Sequence, residues 1–550
     1  MRRTILLLAI TSCATSSEPM AVRFANAPPA TKVYDRRDTP VKPEVIPPYN
    51  EVDFYDRSFT GPLVRTLSVP EHRRAQGVNA LDEVPDSTWF TNRIGVRDLT
   101  PAEITKGAVD DDGPEAHRPW TVHSTKPGGT ELGFVVTDAR GVKYLVSFDD
   151  PKYPEAETGA AVVVNRLLWA VGYHVAQDQI VYLRESDLVL APDATVKDHL
   201  GHVVGHLDRD ELTDKLAHAW HTPDGQLRVF ASKYLPGEAL GGTPPSGRRE
   251  DDPNDLIDHE RRRDQRGQYP MFAWLDHIDL VQSNFLDMWT ADPADPSHHF
   301  VVHYLVDFGK SLGTMGLTDH YVREGFAYSF DWADLTASLL TLGFWPHPWG
   351  HHWAPSLTGV APTFTADAFD PGQWKADLPY APFDDADRFD MFWGAKLMAR
   401  LTPADIRAAV EAGRYSDPRT VAYLTDTLVA RQRATLRHWF SRVNPLDRFT
   451  VTAHALCFDD LAITTQLAPA GDTKYELASS DDGGRAMGTI TIAAAPSGPT
   501  CTHDVIMSTS ATGYTIVKIT TQRAEYAGST LVHLARGAAG EWRVIGVWRL

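Results

Sequence analysis

Two short polar runs, set at either end of an apolar stretch, constrain this chain more than anything else in it. The first is Trp274-Leu275-Asp276-His277-Ile278-Asp279-Leu280-Val281-Gln282-Ser283-Asn284, and the second is Val302-His303-Tyr304-Leu305-Val306-Asp307-Phe308-Gly309. Reduced to pattern they read H-x-D-x-x-x-x-N, then an apolar strand ending in D-F-G. Asp, Asn and Gly favour turns, so either run alone could simply end a strand or cap a turn. In this order, with strand-like residues between and a helical pattern before, they bring one carboxylate, one amide and a second carboxylate to the ends of apolar elements. Asp292-Pro293-Ala294-Asp295-Pro296-Ser297, lying between the runs, reads as an inserted loop.

That series of residue types resembles the catalytic loop and metal-binding motif of protein kinases. Phosphoryl transfer needs a carboxylate to orient the acceptor hydroxyl, and an amide oxygen with a second carboxylate to hold Mg²⁺ against the phosphates. The resemblance gives the catalytic role to Asp279 and the metal-holding roles to Asn284 and Asp307. Elements upstream follow a matching order. Gly133-Phe134-Val135-Val136 and Val142 to Phe148 read as two strands around Asp138-Ala139-Arg140-Gly141. A helix is predicted from Glu157 to Ala170 with Gly172 as its C-cap, then a strand from Gln179 to Leu183. Beyond about residue 254 helices are predicted over Asp258 to Leu275, Asp385 to Leu401, Thr402 to Gly413 and Ser416 to Val443. The fold class expected is α+β: a two-lobed kinase-like domain with a β-rich small lobe over 125–240 and a helical large lobe over 241–445.

A wider resemblance is to a family of bacterial exported lipoproteins with an atypical kinase-like domain, distantly similar to HipA-type and CotH-type kinases. It rests on Asn79 to Phe90 (NALDEVPDSTWF), Asp251-Asp252-Pro253-Asn254-Asp255, His259-Glu260-Arg261-Arg262, Arg266-Gly267 and the two motifs, and covers roughly residues 75 to 445. It implies a fold and a nucleotide site, and no particular reaction. It also exposes departures. Kinases grip the phosphates with a lysine on the third strand, paired with a glutamate on the following helix. By likeness to similar sequences the lysine position is Ser147 and the glutamate position Ala161. Lys152 and Lys233 are the candidate stand-ins for the lysine, and Glu155 or Glu157 for the glutamate. The glycine-rich candidate, Gly128-Gly129 with Gly133, is not a G-x-G-x-x-G. For the Arg-rich run the expectation is a salt-bridged helix face.

Composition limits the partners. With 53 Lys and Arg against 72 Asp and Glu, the formal charge is −19, which argues against nucleic acid as a partner. The start of the chain, Met1-Arg2-Arg3 then Thr4 to Thr11 and small residues before Cys13, resembles a signal peptide with a lipobox: residues 1–12 are cut away and Cys13 is lipidated. Residues 13–50, rich in Pro and Ala, then form a lipidated tether, and 51–124 an irregular N-terminal region. The remaining cysteines, Cys457 and Cys501, form an even pair in an oxidising compartment and are expected to join in a disulfide within a C-terminal all-β domain over 446–550. The localisation expected is the cell envelope, on a periplasmic or outer-membrane face, with the membrane as partner through the lipid and a protein partner left open. Three functions stand: a kinase-like transferase using a nucleotide with Mg or Mn, a catalytically inactive kinase-like binding module, and an envelope structural lipoprotein.

Overall fold

A computed structural model describes residues 22–47, 53–67, 73–110, 112–127, 131–315, 323–347, 349, 353–452, 455–510 and 513–550. Cys13 and the leader before it, and Gly128 and Gly129, lie outside these residues. The chain is α+β and divides into two compact units. The larger takes Ala30–Asn79 and Glu83–Arg442; the smaller takes Val443–Leu550, Ala80–Asp82 and the chain up to Pro29.

The first sheet of the larger unit begins with β1 (Trp120–Thr125), β2 (Gly133–Thr137) and β3 (Lys143–Phe148), the last two forming the hairpin predicted around Gly141. Period-two alternation decides its faces. Tyr144, Val146 and Phe148 point into a core with Trp120, Val122, Phe134 and Val136, while Leu145 and Ser147 face the other way. Next comes α1 (Ala156–Val171), apolar nearly all round and therefore buried nearly all round. Its first turn is capped from a distance: Asp149 accepts from the Thr158 N–H at 3.0 Å and from the Thr158 hydroxyl at 2.6 Å. Gly172 closes it at φ 136°. With β4 (Gln177–Leu183), β5 (Leu188–Lys197), β6 (Val203–His206) and β7 (Leu227–Lys233), the strands form one sheet in the order β4-β7-β3-β2-β1-β5-β6. The helix α2 (Arg209–Leu216) covers its core face with Leu212 and Leu216.

A second sheet follows from β8 (Glu238–Gly242), β9 (Phe285–Asp292) and β10 (Asp295–Leu305). The segment read as an inserted loop is the turn of the β9–β10 hairpin. The helix predicted over Asp258 to Leu275 is broken: a 3₁₀ turn at His259–Arg261, a short helix at Arg263–Arg266, and α3 (Tyr269–Leu275). Pro270 has no N–H to continue the ladder, and Gly267 is pressed against Trp393, whose ring would lie 2.3 Å from a Cβ there. The Arg-rich run is consequently no solvated face. Arg263 and Arg266 are buried against Asp390 of α4 (Arg388–Met398), and Arg262 pairs with Asp264 at 2.8 Å. Helices α5 (Pro403–Ala412) and α6 (Pro418–Phe440) start at Thr402 and Asp417, each a capping side chain followed by Pro. The Pro-rich stretch read as a tether is hydrogen-bonded along this unit from residue 30 onward: Thr39 N–H donates to His299 C=O and Ile46 N–H to Leu240 C=O, both at 2.7 Å.

The smaller unit is built from β11 (Leu446–Val451), β12 (Leu456–Asp460), β13 (Lys474–Asp481), β14 (Ala486–Ala493), β15 (Thr500–Cys501), β16 (Thr515–Gln522), β17 (Gly528–Arg536) and β18 (Trp542–Arg549). They form a three-stranded sheet, β11-β12-β15, and a five-stranded antiparallel sheet, β14-β13-β16-β17-β18. Leu446, Phe458, Tyr475, Val517, Ile519 and Val532 pack its core. Cys457 of β12 and Cys501 of β15 are register partners and are joined by a disulfide across 44 residues of sequence. A link closing that loop is expected to contribute about 4 kcal/mol by constraining the unfolded chain. Replacing both cysteines by serine should therefore lower the urea midpoint of this unit markedly, and dithiothreitol should shift the wild type to the same midpoint.

Candidate active site

The face of the first sheet that carries Leu145 and Ser147 does not close against the rest of the larger unit. It bounds a cavity of about 780 Å³, whose other walls come from α1, the chain after β7, β9 and the Asp307-Phe308-Gly309 turn. That volume suits a small-molecule site. Leu145, Phe230, Leu235, Ala239, Leu286 and Met288 make much of the lining apolar, and Lys126, Glu157, Asn284 and Asp307 supply charged and polar groups. An apolar slot with a few polar groups suits a ligand with a flat apolar part and a charged part.

The polar motif residues are held by both backbone and side-chain partners. Asp276 ends α3 in the left-handed region at φ 50°, held by the Trp374 indole N–H at 2.9 Å. This turns the chain so that His277 is buried and shares a 2.9 Å hydrogen bond with Ser311. The Asn284 amide nitrogen donates to the Asp279 carbonyl at 3.0 Å, which leaves its oxygen as the end available to a cation. The Val306 N–H donates to the Asn284 carbonyl at 3.0 Å, so the two motifs are joined at the cavity wall. Asp307 itself has φ 59°. A non-glycine residue in that region costs free energy and concentrates at functional sites.

Asp307 lies deep in the unit yet its side chain is exposed to the open cavity. Depth in the protein pushes its carboxyl above the usual carboxylate range, and Lys126 opposes that shift. Asp279 is mostly buried and does not line the cavity. It is tied to the same turn by Lys310, whose ammonium is 3.2 Å from its carboxylate. Burial pulls the Lys310 ammonium down, but Asp279, Asp377 and Asp307 together raise it. Burial, with Asp279 adding, pushes Asp377 up to about 6.

The structure separates the four stand-ins. Lys152 is exposed, with its ammonium over its neighbour Tyr153. Lys233 lines the cavity, with its ammonium 3.0 Å from Asp110. Glu155 accepts from the Ser416 N–H at 2.9 Å and is not on the cavity wall. Glu157 is on the wall, as are Ser147 and Ala161, and its Oε1 would lie 2.9 Å from a Cβ on Gly309. Burial, reinforced by Glu131, Asp149 and Asp307, drives the Glu157 carboxyl well above the usual range against the pull of Lys126.

Lys126 is the residue sequence reasoning missed. It follows β1 and its ammonium is 2.8 Å from Glu131. Its stem lies across Gly133, where a Cβ would meet Lys126 Cβ and Cδ at 3.0 Å. The signal was available in principle, because a glycine opening a strand marks a close approach.

Asp307 and Asn284 offer oxygen donors only, the chemistry Mg²⁺ and Mn²⁺ accept. Among the described residues no three His, Cys, Asp or Glu side chains are grouped to hold a metal on their own. A cation here therefore needs oxygens from its ligand as well, which is how Mg²⁺ is held at phosphate sites.

No protein family and no curated protein matches the sequence. Among solved structures, the Golgi casein kinase with Mn/ADP bound is similar at 11% identity and a TM-score of 0.30, covering 58% of this chain and 72% of that one. A second structure of the Golgi casein kinase gives 10% identity, a TM-score of 0.30, and coverages of 58% and 71%.

His277 makes the turn sensitive to acid. Burial lowers its imidazole from the model-peptide value of 6.5 to about 4. Both states are neutral at pH 7; below pH 6.5 the unfolded chain binds the proton first, so stability is lost as pH falls toward 4. Urea unfolding at pH 7.5 and 4.5 should show a pH-dependent loss about 2 to 3 kcal/mol larger in the wild type than in His277→Gln.

Proposed function

We propose that the larger unit is an atypical, two-lobed kinase-like domain that binds a nucleotide with Mg²⁺ or Mn²⁺ and transfers a phosphoryl or nucleotidyl group to a hydroxyl acceptor. The observation that carries this is the shared wall: Asn284 and Asp307 line the same cavity of about 780 Å³ as Ser147 and Glu157, with Asp279 tied to the same turn. The strand, strand, helix, strand order ahead of it supports the same reading.

In this scheme the apolar slot takes the nucleotide's base, and Asn284 with Asp307 holds the cation. The cation, when bound, offsets charge on the phosphate oxygens. Asp279 orients the acceptor hydroxyl and takes its proton as the new oxygen–phosphorus bond forms and the bond to the leaving phosphate breaks. Lys310 fixes the Asp279 carboxylate so that it need not reorganise. A second reading, an inactive nucleotide-binding module, is favoured by the uncharged side chains of Ser147 and Ala161 on the cavity wall.

Thermal melting with ATP and MgCl₂ or MnCl₂ tests both. Ligand at a hundred times its dissociation constant should add about 2.7 kcal/mol of stability. Asp307→Ala is expected to abolish the shift. Asp279→Asn is expected to keep it while slowing transfer by about 10²- to 10⁴-fold. A wild-type shift without any transfer supports the binding module, and no shift with either metal removes the nucleotide reading.

We also place the protein in the cell envelope, held at a membrane by a lipid on Cys13. Support comes from the basic, apolar and small-residue order of residues 1–13. An alkyne fatty acid fed to expressing bacteria should label the wild type and not Cys13→Ala.

A further inference from the structure

The kinase-like scheme lacks a phosphate-gripping cation at Ser147, and the structure holds one that the motif does not specify. Lys126 lines the same cavity as Ser147, Glu157 and Asp307. It leaves the sheet at the end of β1, and its stem crosses Gly133. Gly133 is the register partner of Ser147 in the β2–β3 hairpin. Paired strands lie about 4.8 Å apart, so a side chain passing over Gly133 enters the cavity beside the position from which a lysine at 147 would start. The passage exists because residue 133 has no side chain: a Cβ there would lie 3.0 Å from both Lys126 Cβ and Cδ, and 2.6 Å from the Val146 carbonyl.

The carboxylate paired with Lys126 is that of Glu131, at 2.8 Å, and a second glutamate lines the same cavity. Ala161 and Glu157 are one turn apart on α1 and share a face, and Glu157 lines the cavity against Gly309. Lys126 feels Asp307, Glu131 and Glu157, which together outweigh its burial and keep it charged. Lys310, beside the Asp307 turn, is engaged with Asp279, and Lys233, on the cavity wall, with Asp110. A polyphosphate entering a cavity with this many carboxylates meets repulsion that a metal on Asp307 and Asn284 offsets only on its own side.

We propose that Lys126, reaching over Gly133 into the cavity that Glu157 and Asp307 also line, is the cation that holds the phosphates of the bound nucleotide in place of the lysine absent at Ser147. This rests on the nucleotide reading above. It makes the site one for nucleoside di- or triphosphates rather than for nucleosides.

Calorimetric titration of the full chain with ATP and MgCl₂, and separately with adenosine, tests it. Lys126→Ala is expected to weaken ATP by about 10- to 100-fold, the worth of one charge-assisted contact, and to leave adenosine within about twofold. Lys126→Gln, which keeps the stem and a donor for Glu131, should show the same ATP-specific loss if the alanine variant folds poorly. Lys126→Ala with Ser147→Lys should recover most of the ATP affinity, while Lys152→Ala should match the wild type. Unchanged ATP binding in Lys126→Gln, an equal loss of ATP and adenosine, or a double variant no tighter than Lys126→Ala overturns the assignment. A wild type that binds ATP with Lys126 dispensable leaves the nucleotide reading standing, whereas a wild type that binds neither ligand removes both.

Discussion

One buried guanidinium holds the site-bearing elements of the larger unit in register. Arg228 of β7 is wholly enclosed and donates to the Thr158 hydroxyl of α1, the Tyr182 hydroxyl of β4 and the Gly413 and Arg414 carbonyls between α5 and α6. Asp149, just after β3, lies 3.4 Å from its Nε. Burial nonetheless outweighs that arginine and raises the Asp149 carboxyl. An ion pair this deep is retained because removing either partner leaves a charge stranded, at about 3–5 kcal/mol. Thr158 adjoins Glu157, so the arginine that anchors the start of α1 also determines where that glutamate meets the cavity.

The cavity gathers more acid than base. Glu131, Glu157, Asp178 and Asp307 are near or on its walls, against the cations Lys126 and Lys233. Burial raises Asp178 to about 6, and Asp307 and Glu157 are raised with it. Carboxyls raised in this way cost stability, and groups so perturbed concentrate at functional sites. They also set the kind of guest the site can accept: one that arrives with cations or donates hydrogen bonds.

What was legible in the sequence followed from local rules. Thr402-Pro403 and Asp417-Pro418 announce helix starts, Gly141 and its neighbours a hairpin, and Gly172 a helix end, because capping and turn chemistry act within a few residues. Asp279, Asn284 and Asp307 stood out by another route, the likeness of H-x-D-x-x-x-x-N and D-F-G to kinase motifs. The break at Gly267 did not, since it depends on Trp393 far along the chain. Gly133 at the start of a strand hints at a close approach, but that Lys126 makes it, beside Ser147, is a cross-strand relation that spacing along the chain cannot express. Pro-rich composition in residues 30–47 shows which ladders the segment cannot build itself. It does not show that the segment's N–H groups find Leu240 and His299.

The β9–β10 hairpin has a further consequence. Asn284 immediately precedes β9, Asp307 follows shortly after β10, and the ladder closes with Phe285 opposite Leu305. The two positions proposed to hold a cation are thus the legs of a clamp whose opening is set by strand pairing at its base and is indifferent to how far the hairpin extends beyond. Insertions or deletions made in matched pairs at the Asp292–Asp295 tip would leave the clamp unaltered, whereas a single-residue slip would turn one leg away. The tip is therefore a stretch that can vary in matched pairs without moving the proposed cation site.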